Sequence, residues 1–230
     1  MGIKIRDDEF REKGQEVVPE GPIYWKNRPD DDERKDWYDD APWVKGYWNS
    51  QDHPHRELIL DVLKNIEPFS SLLEIGSNCG PNLVRIQARY PAVLYGMDIN
   101  KSAIEFGKAM LPGVTFVEAD LISTGELESE LSNSDVILAD AVLMYIDSDN
   151  IYRLLSKMVN AAQKGIIIVD FYDEGSDEGI VKYGHWARNY EHLLKDLGML
   201  VEKTKITKET WPNLSGNWAD IGYMIIGRCK

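Results

Sequence analysis

LLEIGSNCGPNL, residues 72–83, joins a short apolar run to a carboxylate, two glycines and a proline. The run predicts a strand ending at Ile75, and residues 76–80 read as a tight loop. Pro81, with its φ preset for a first helical position, opens a helix. Strand, glycine loop and helix make the unit of a doubly wound sheet, whose ligands bind beyond the carboxyl ends of the strands, where the strand order reverses. Outward from this stretch, β-rich runs at 93–97, 115–118, 136–139 and 165–169 alternate with helical patterns such as SAIEFGKAM and NIYRLLSKMVNAAQ. That alternation predicts an α/β, Rossmann-like, mostly parallel sheet with helices on both faces. GIIIVD is apolar almost throughout, as a central strand covered on both sides should be. A further helix is expected over about 185–197, followed by MLVEKTKI and IGYMIIGR. With nothing helical read between those last runs, they should pair antiparallel at the sheet edge.

The loop's spacing decides what it can hold. Counting from Gly76, a dinucleotide fingerprint needs glycines third and sixth, where this chain has Asn78 and Pro81. A Walker-type phosphate loop lacks its Gly-Lys-Ser/Thr. Glu74, ending the strand, would repel a pyrophosphate and suits a ligand with a cationic group. Asp98 ends the second strand, where a carboxylate can accept both hydroxyls of a ribose. Asp120 ends the third, placed to accept from an exocyclic amine, while Ile99 and Leu121 offer apolar faces to a flat ring. An ammonium-bearing tail, a ribose and an adenine together describe S-adenosylmethionine.

EIGSNCG, GMDIN and EADL, in this order, resemble the cofactor motifs of class I S-adenosylmethionine-dependent methyltransferases over roughly residues 55–230. The narrower likeness is to small-molecule enzymes of sugar and surface-glycan pathways. The resemblance implies that Gly76, Ser77, Asn78 and Gly80 form the loop around the methionine part, with Gly76 and Gly80 allowing close backbone approach. It implies that Glu74 serves the loop and the amino group, Asp98 the ribose and Asp120 the adenine amine. Asn78 replaces a glycine common in the family, and asparagine tolerates unusual backbone angles.

Methyl transfer requires alignment of the acceptor and, where necessary, removal of its proton. The acceptor should lie beyond the fourth and fifth strands, in ILADAVLMYIDS and IIIVDFYDEG. Asp140, Tyr145 and His185 are the catalytic candidates, with Asp170, Tyr172 and Asp173 in reserve. In relatives a histidine often follows at the Tyr145 position. In QDHPHREL, Asp52, His53 and His55 lack a further ligand, so no metal site is expected. Pro54 instead opens a helix whose face of Leu58, Ile59, Val62 and Leu63 packs on the sheet, and Arg56 is placed to reach the cofactor carboxylate. Cys79 lies near a helix N-terminus, which can lower a thiol pKa, but is read as structural.

A chain of 230 residues holds one core domain, expected over 51–230. Residues 1–50 differ: Trp25, Trp37, Trp43 and Trp48 with Tyr24, Tyr38 and Tyr47 are interleaved with acidic clusters such as PDDDER. This segment is either outer packing or a lid over a ligand mouth. The net charge of −13 makes nucleic acid and anionic membrane poor partners and leaves a small-molecule substrate. No apolar stretch is long enough to span a bilayer, the N-terminus lacks a secretory pattern, and Cys79 and Cys229 form no disulfide framework, so a cytoplasmic location is expected. A protein methyltransferase or a non-catalytic cofactor-binding module is the alternative. The acceptor, its attacking atom and the oligomeric state stay open.

Overall fold

β1 (Ser71–Ile75) is buried along its last four residues, and its alternating side chains enter opposite faces of the sheet: Leu72 joins one apolar layer, Leu73 the other. The computed structural model describes residues 21–29, 42–122 and 133–230. Before β1 come α1 (Pro22–Lys26), α2 (Trp43–Asn49) and α3 (Pro54–Leu63). After it come α4 (Pro81–Arg89), β2 (Val93–Asp98), α5 (Lys101–Met110), β3 (Thr115–Glu118) and β4 (Ser134–Asp140). The chain continues through α6 (Ser148–Ala161), β5 (Ala162–Phe171), β6 (Ile180–Lys182), β7 (His185–Ala187), α7 (Tyr190–Asp196), β8 (Leu200–Lys205), α8 (Gly216–Ile221) and β9 (Gly222–Arg228).

Seven strands form one sheet in the order β3-β2-β1-β4-β5-β9-β8. The first five are parallel, and β9 is antiparallel to both β5 and β8. The last two runs therefore pair antiparallel at the edge, as their sequences predict. β9, with Met224, Ile225 and Ile226 buried, takes the inner place; β8, with Glu202 and Lys205 exposed, takes the rim, where charge discourages further pairing. On one face of the sheet α3, α4 and α5 contribute Leu63, Leu83 and Ile104; on the other α6 and α7 contribute Leu155 and Leu194. Two helices owe their starts to side-chain caps, Asn100 accepting from the Ala103 N–H and Asp147 from the Asn150 N–H.

Two expectations are corrected. His185 is not helical: Tyr183 and Gly184, with φ of 53° and 74°, turn a two-residue hairpin that places His185 on β7, opposite Lys182. The helix begins only at Tyr190, capped by Asn189. A helix also separates the last two strands, since α8 closes onto β9. Its sequence GNWADI opens with a glycine and an asparagine, which mask it in a propensity reading.

Gly80 has φ of 86°, and a Cβ there would stand 2.8 Å from Phe116 Cζ. Gly80→Ala should therefore lower the unfolding free energy by roughly 2 kcal/mol through backbone strain and overpacking. Urea denaturation of the two proteins measures the difference; equal midpoints with equal slopes would contradict this assignment.

Candidate functional site

A cavity of about 360 Å³ opens at the carboxyl ends of the parallel strands, where the order reverses between β1 and β4. The loop after β1 forms one wall. Gly76 (φ 68°) lies so near Val142 that a Cβ would fall 2.4 Å from its Cγ2, and Asn78 adopts φ of 51°, the left-handed conformation that asparagine tolerates. The loop folds back onto the tip of β2: Ser77 N–H donates to Met97 O at 2.9 Å and Asn78 N–H to Asp98 Oδ2 at 2.8 Å. Asp98 Oδ1 accepts from Asn100 N–H at 2.8 Å, so this carboxylate holds the loop and the α5 start together while lining the cavity. Burial raises its pKa above the ordinary value, against the opposing pull of those two N–H groups.

Gly76, Ser77, Asn78, Asp98, Ile99, Asp120 and Leu121 all line the cavity, but Gly80 does not; Phe116 and Leu111 occupy the space beside it. Its glycine answers to core packing and a positive φ. Asp120 accepts from Ile122 N–H at 3.1 Å and has Lys26 Nζ at 3.9 Å.

Beneath the loop lies a buried polar junction centred on Asn82. Its Nδ2 donates to Glu74 Oε1 at 2.6 Å and to Asp140 Oδ2 at 2.9 Å, which draws together carboxylates from the tips of β1 and β4. Arg56 orients that amide by donating to Asn82 Oδ1 at 2.6 Å, and donates also to Ser50 O and Oγ. Its guanidinium, expected to reach a cofactor carboxylate, thus works inside the protein, although Arg56 also lines the cavity. Oε2 of Glu74, which is 2% exposed, has no hydrogen-bond partner among the described residues. Burial pushes the Glu74 carboxyl up to about 8, with Asp140 adding to the rise.

His55 Nε2 lies 2.9 Å from Asp140 Oδ2, and its Nδ1 lies 2.5 Å from Nδ1 of His53. Burial lowers the pKa of His55 and takes His53 down to about 3, so both rings are neutral near pH 7. The network then fixes the tautomers: His53 donates to His55, and His55 donates to Asp140. Burial works to raise the Asp140 carboxyl. His55, Arg56 and Asn82 outweigh it and bring Asp140 down to about 2. Asp140 is therefore a permanent anion on the cavity wall. Among the described residues no group of three or more His, Cys, Asp or Glu side chains is arranged to hold a metal.

The opposite wall is aromatic. Ring contacts run from His55 to Trp211 (5.6 Å between centroids), Trp218 (6.1 Å), Phe171 (4.8 Å), His185 (5.6 Å), Tyr145 (5.2 Å), Trp25 (5.5 Å) and Tyr47 (6.4 Å). Every one of these residues lines the cavity. The imidazole missing from the Tyr145 position is thus supplied in space by β7. His185 Nδ1 lies 2.9 Å from Tyr183 O, which places a proton on Nδ1. Burial raises the Tyr145 hydroxyl far above its ordinary value.

The reserve candidates lie off the cavity lining. Asp170 is fully buried and accepts from Phe171 and Met144 N–H, Tyr172 contacts Lys203, and Asp173 pairs with Lys182. Burial pushes the Cys79 thiol up to about 12, so its place before a helix does not activate it. Trp25 and Tyr47 reach the cavity from the N-terminal segment, Trp43 is buried with Nε1 donating to Pro29 O at 3.0 Å, and Trp48 packs on Phe106. Trp37, Tyr38 and the acidic run from residue 30 lie outside the described residues. Sequence reasoning missed Asn82, one polar residue on a helix. It also missed Trp211 and Trp218, although two tryptophans within TWPNLSGNW were a visible signal.

No protein-family model matches the chain, and no curated protein matches it. Solved structures do. Magnesium protoporphyrin IX methyltransferase from Synechocystis, with bound S-adenosylmethionine, superposes with a TM-score of 0.63 at 14% identity, covering 90% of this chain and 95% of that one. A Leishmania major S-adenosylmethionine-dependent methyltransferase gives 0.63 at 16% identity, over 90% and 80%. Phosphoethanolamine N-methyltransferase 2 of Haemonchus contortus gives 0.56 at 14% identity, over 76% and 52%. The chain has the methyltransferase fold. Within that fold, the Asn82 junction and the aromatic wall are features of this chain's own side chains.

Glu74 couples the site to pH. Its folded pKa of about 8 lies above the ordinary 4.5. The stability it contributes is therefore complete below pH 4.5 and is lost as pH rises toward 8. Glu74→Gln should accordingly unfold like wild type near pH 4 and be more stable by at least about 1 kcal/mol at pH 8. Thermal unfolding across this range tests it, and a wild-type advantage at pH 8 would show that the carboxylate is compensated.

Proposed function

We propose that this protein is an S-adenosylmethionine-dependent methyltransferase acting on a small-molecule acceptor. The observation that carries the reading is Glu74 Oε2, a carboxyl oxygen buried at the cavity with no partner among the described residues, as an ammonium-bearing ligand requires. Glu74 would take the amino group, the loop residues Gly76, Ser77 and Asn78 the methionine backbone, Asp98 the ribose, and Asp120 with Ile99 and Leu121 the adenine. When bound, the cofactor supplies a methyl group on a sulfonium. The chain's own contribution is alignment and exclusion of water, with His185 and Tyr145 side by side on the cavity lining as the candidates for handling the acceptor's proton.

The fold relatives, which include methyltransferases of a porphyrin and of phosphoethanolamine, support this reaction class. Aromatic walls also suit the apolar face of a sugar ring, which keeps a glycan-type metabolite among the candidate acceptors. The N-terminal segment serves as a lid in this reading, with Trp25 and Tyr47 covering the mouth. A cytoplasmic location goes with it, since Cys79 and Cys229 are both free. Among the described residues no helix is long and apolar enough to cross a membrane.

Calorimetry with S-adenosylhomocysteine tests the cofactor. Binding a cation beside Glu74 ionises a carboxyl that is otherwise protonated below about pH 8. Between pH 6 and about 7.5, affinity should therefore rise with pH and protons should be released, seen as a buffer-dependent heat. Tighter binding of NAD than of S-adenosylhomocysteine would refute the assignment. Asp98→Ala should weaken cofactor binding by about 1.5–3 kcal/mol, the scale for hydrogen bonds lost from a charged group. Removing residues 1–40 should leave cofactor binding measurable while turnover falls sharply, and full turnover in that protein would reduce the segment to outer packing.

A further inference from the structure

We infer that the acceptor is an amine, and that the aromatic wall together with Asp140 forms a cage for the positive charge that develops on its nitrogen. The inference rests on the methyltransferase reading and names the attacking atom. Trp211, Trp218, Phe171, Tyr145 and Trp25 present ring after ring around one side of the cavity, and aromatic faces attract cations through their quadrupoles. The buried Arg28 already shows the preference beside this cluster, lying 5.3 Å from the centroid of Trp25 and 4.6 Å from that of Trp43.

Charge on the lining selects further. Among the described residues His55, Asn82 and Arg56 all meet Asp140 at Oδ2, and Asp140 lines the cavity. Among the described residues Arg56 is the single Lys or Arg on the lining, and its nitrogens are engaged by Ser50, Asn82 and Asp140. The described lining therefore offers an acceptor's phosphate or carboxylate no counter-charge that is not already engaged. The net charge of −13 draws cations toward the protein from a distance.

The chemistry balances. The amine reacts as its free base, with its proton left in solvent, and its lone pair forms the N–C bond. The S–C bond breaks with its electron pair staying on sulfur, and the positive charge passes from sulfonium to nitrogen. Stabilisation by the rings and by Asp140 grows as that charge appears, which is the differential binding that accelerates a reaction. An alcohol acceptor loses its proton in the course of the transfer and ends as a neutral ether, which leaves no cation for such a cage to hold.

Choline and its neutral carbon isostere 3,3-dimethylbutan-1-ol provide the test, titrated into the full chain with tryptophan fluorescence as readout, with and without saturating S-adenosylhomocysteine. Choline should bind at least about tenfold more tightly than the alcohol. Trp218→Leu, at a partly exposed position that tolerates change, should bring the two affinities within about twofold of each other. Equal affinities in the wild-type protein overturn the cage whether or not any variant folds. A panel of small amines, alcohols and phenols, assayed by S-adenosylhomocysteine release, should show turnover with amines; turnover confined to alcohols or phenols overturns the inference. Should S-adenosylhomocysteine fail to bind in calorimetry, the methyltransferase reading falls, whereas a lost choline preference with intact cofactor binding removes this inference alone.

Discussion

Everything at the mouth of the sheet hangs on one buried amide. Asn82 Nδ2 bridges Glu74 and Asp140, and the Asn82 carbonyl is held by Arg56. Two carboxylates brought this close in a desolvated place cannot both be ionised cheaply, because burial and mutual repulsion each penalise the second charge. The protein resolves the conflict asymmetrically. Asp140 receives His55, Arg56 and the amide and falls to about 2, while Glu74 keeps one oxygen without a partner among the described residues and rises to about 8. A parallel sheet makes this possible, since β1 and β4 are neighbours that both end at the cavity.

The asymmetry divides the cavity into two halves with different tasks. On the loop side a carboxyl that is neutral below about pH 8 can accept a cation and release its proton. Asp140, ionised near pH 7, lines the same cavity as the rings, whose faces favour cations. His53 and His55 stay neutral, although imidazole in water titrates near neutral pH, because burial opposes their charging. Their role is to donate inward and keep Asp140 ionised. His185 stands apart from them on β7, with Nδ1 committed to Tyr183 O.

Much of the fold was legible because its signal is local. The apolar runs of β1, β2 and β5 and the capped start of α5 are written in consecutive residues, and so is the failed dinucleotide spacing after Ile75. Elements whose signal is weak or depends on distant partners were misread. β7 looked helical because its neighbours 190–196 are, and the short α8 hides behind glycine and asparagine. Arg56 was recognised as important, but its partners Ser50 and Asn82 lie 6 and 26 residues away, and no periodicity announces them.

By itself the sequence determined the doubly wound sheet, the loop after β1 and the order of acidic residues at three strand tips, because hydrophobic period and backbone chemistry act over a few residues. Only the tertiary structure decided the state of each charge and the composition of the far wall. Whether a carboxylate titrates near 2 or near 8 depends on which donors reach it, and the donors of Asp140 come from α3 and α4. The aromatic wall joins Trp25 to Trp218 across most of the chain, an assembly that exists only once β5, β7 and α8 have packed around a single cavity.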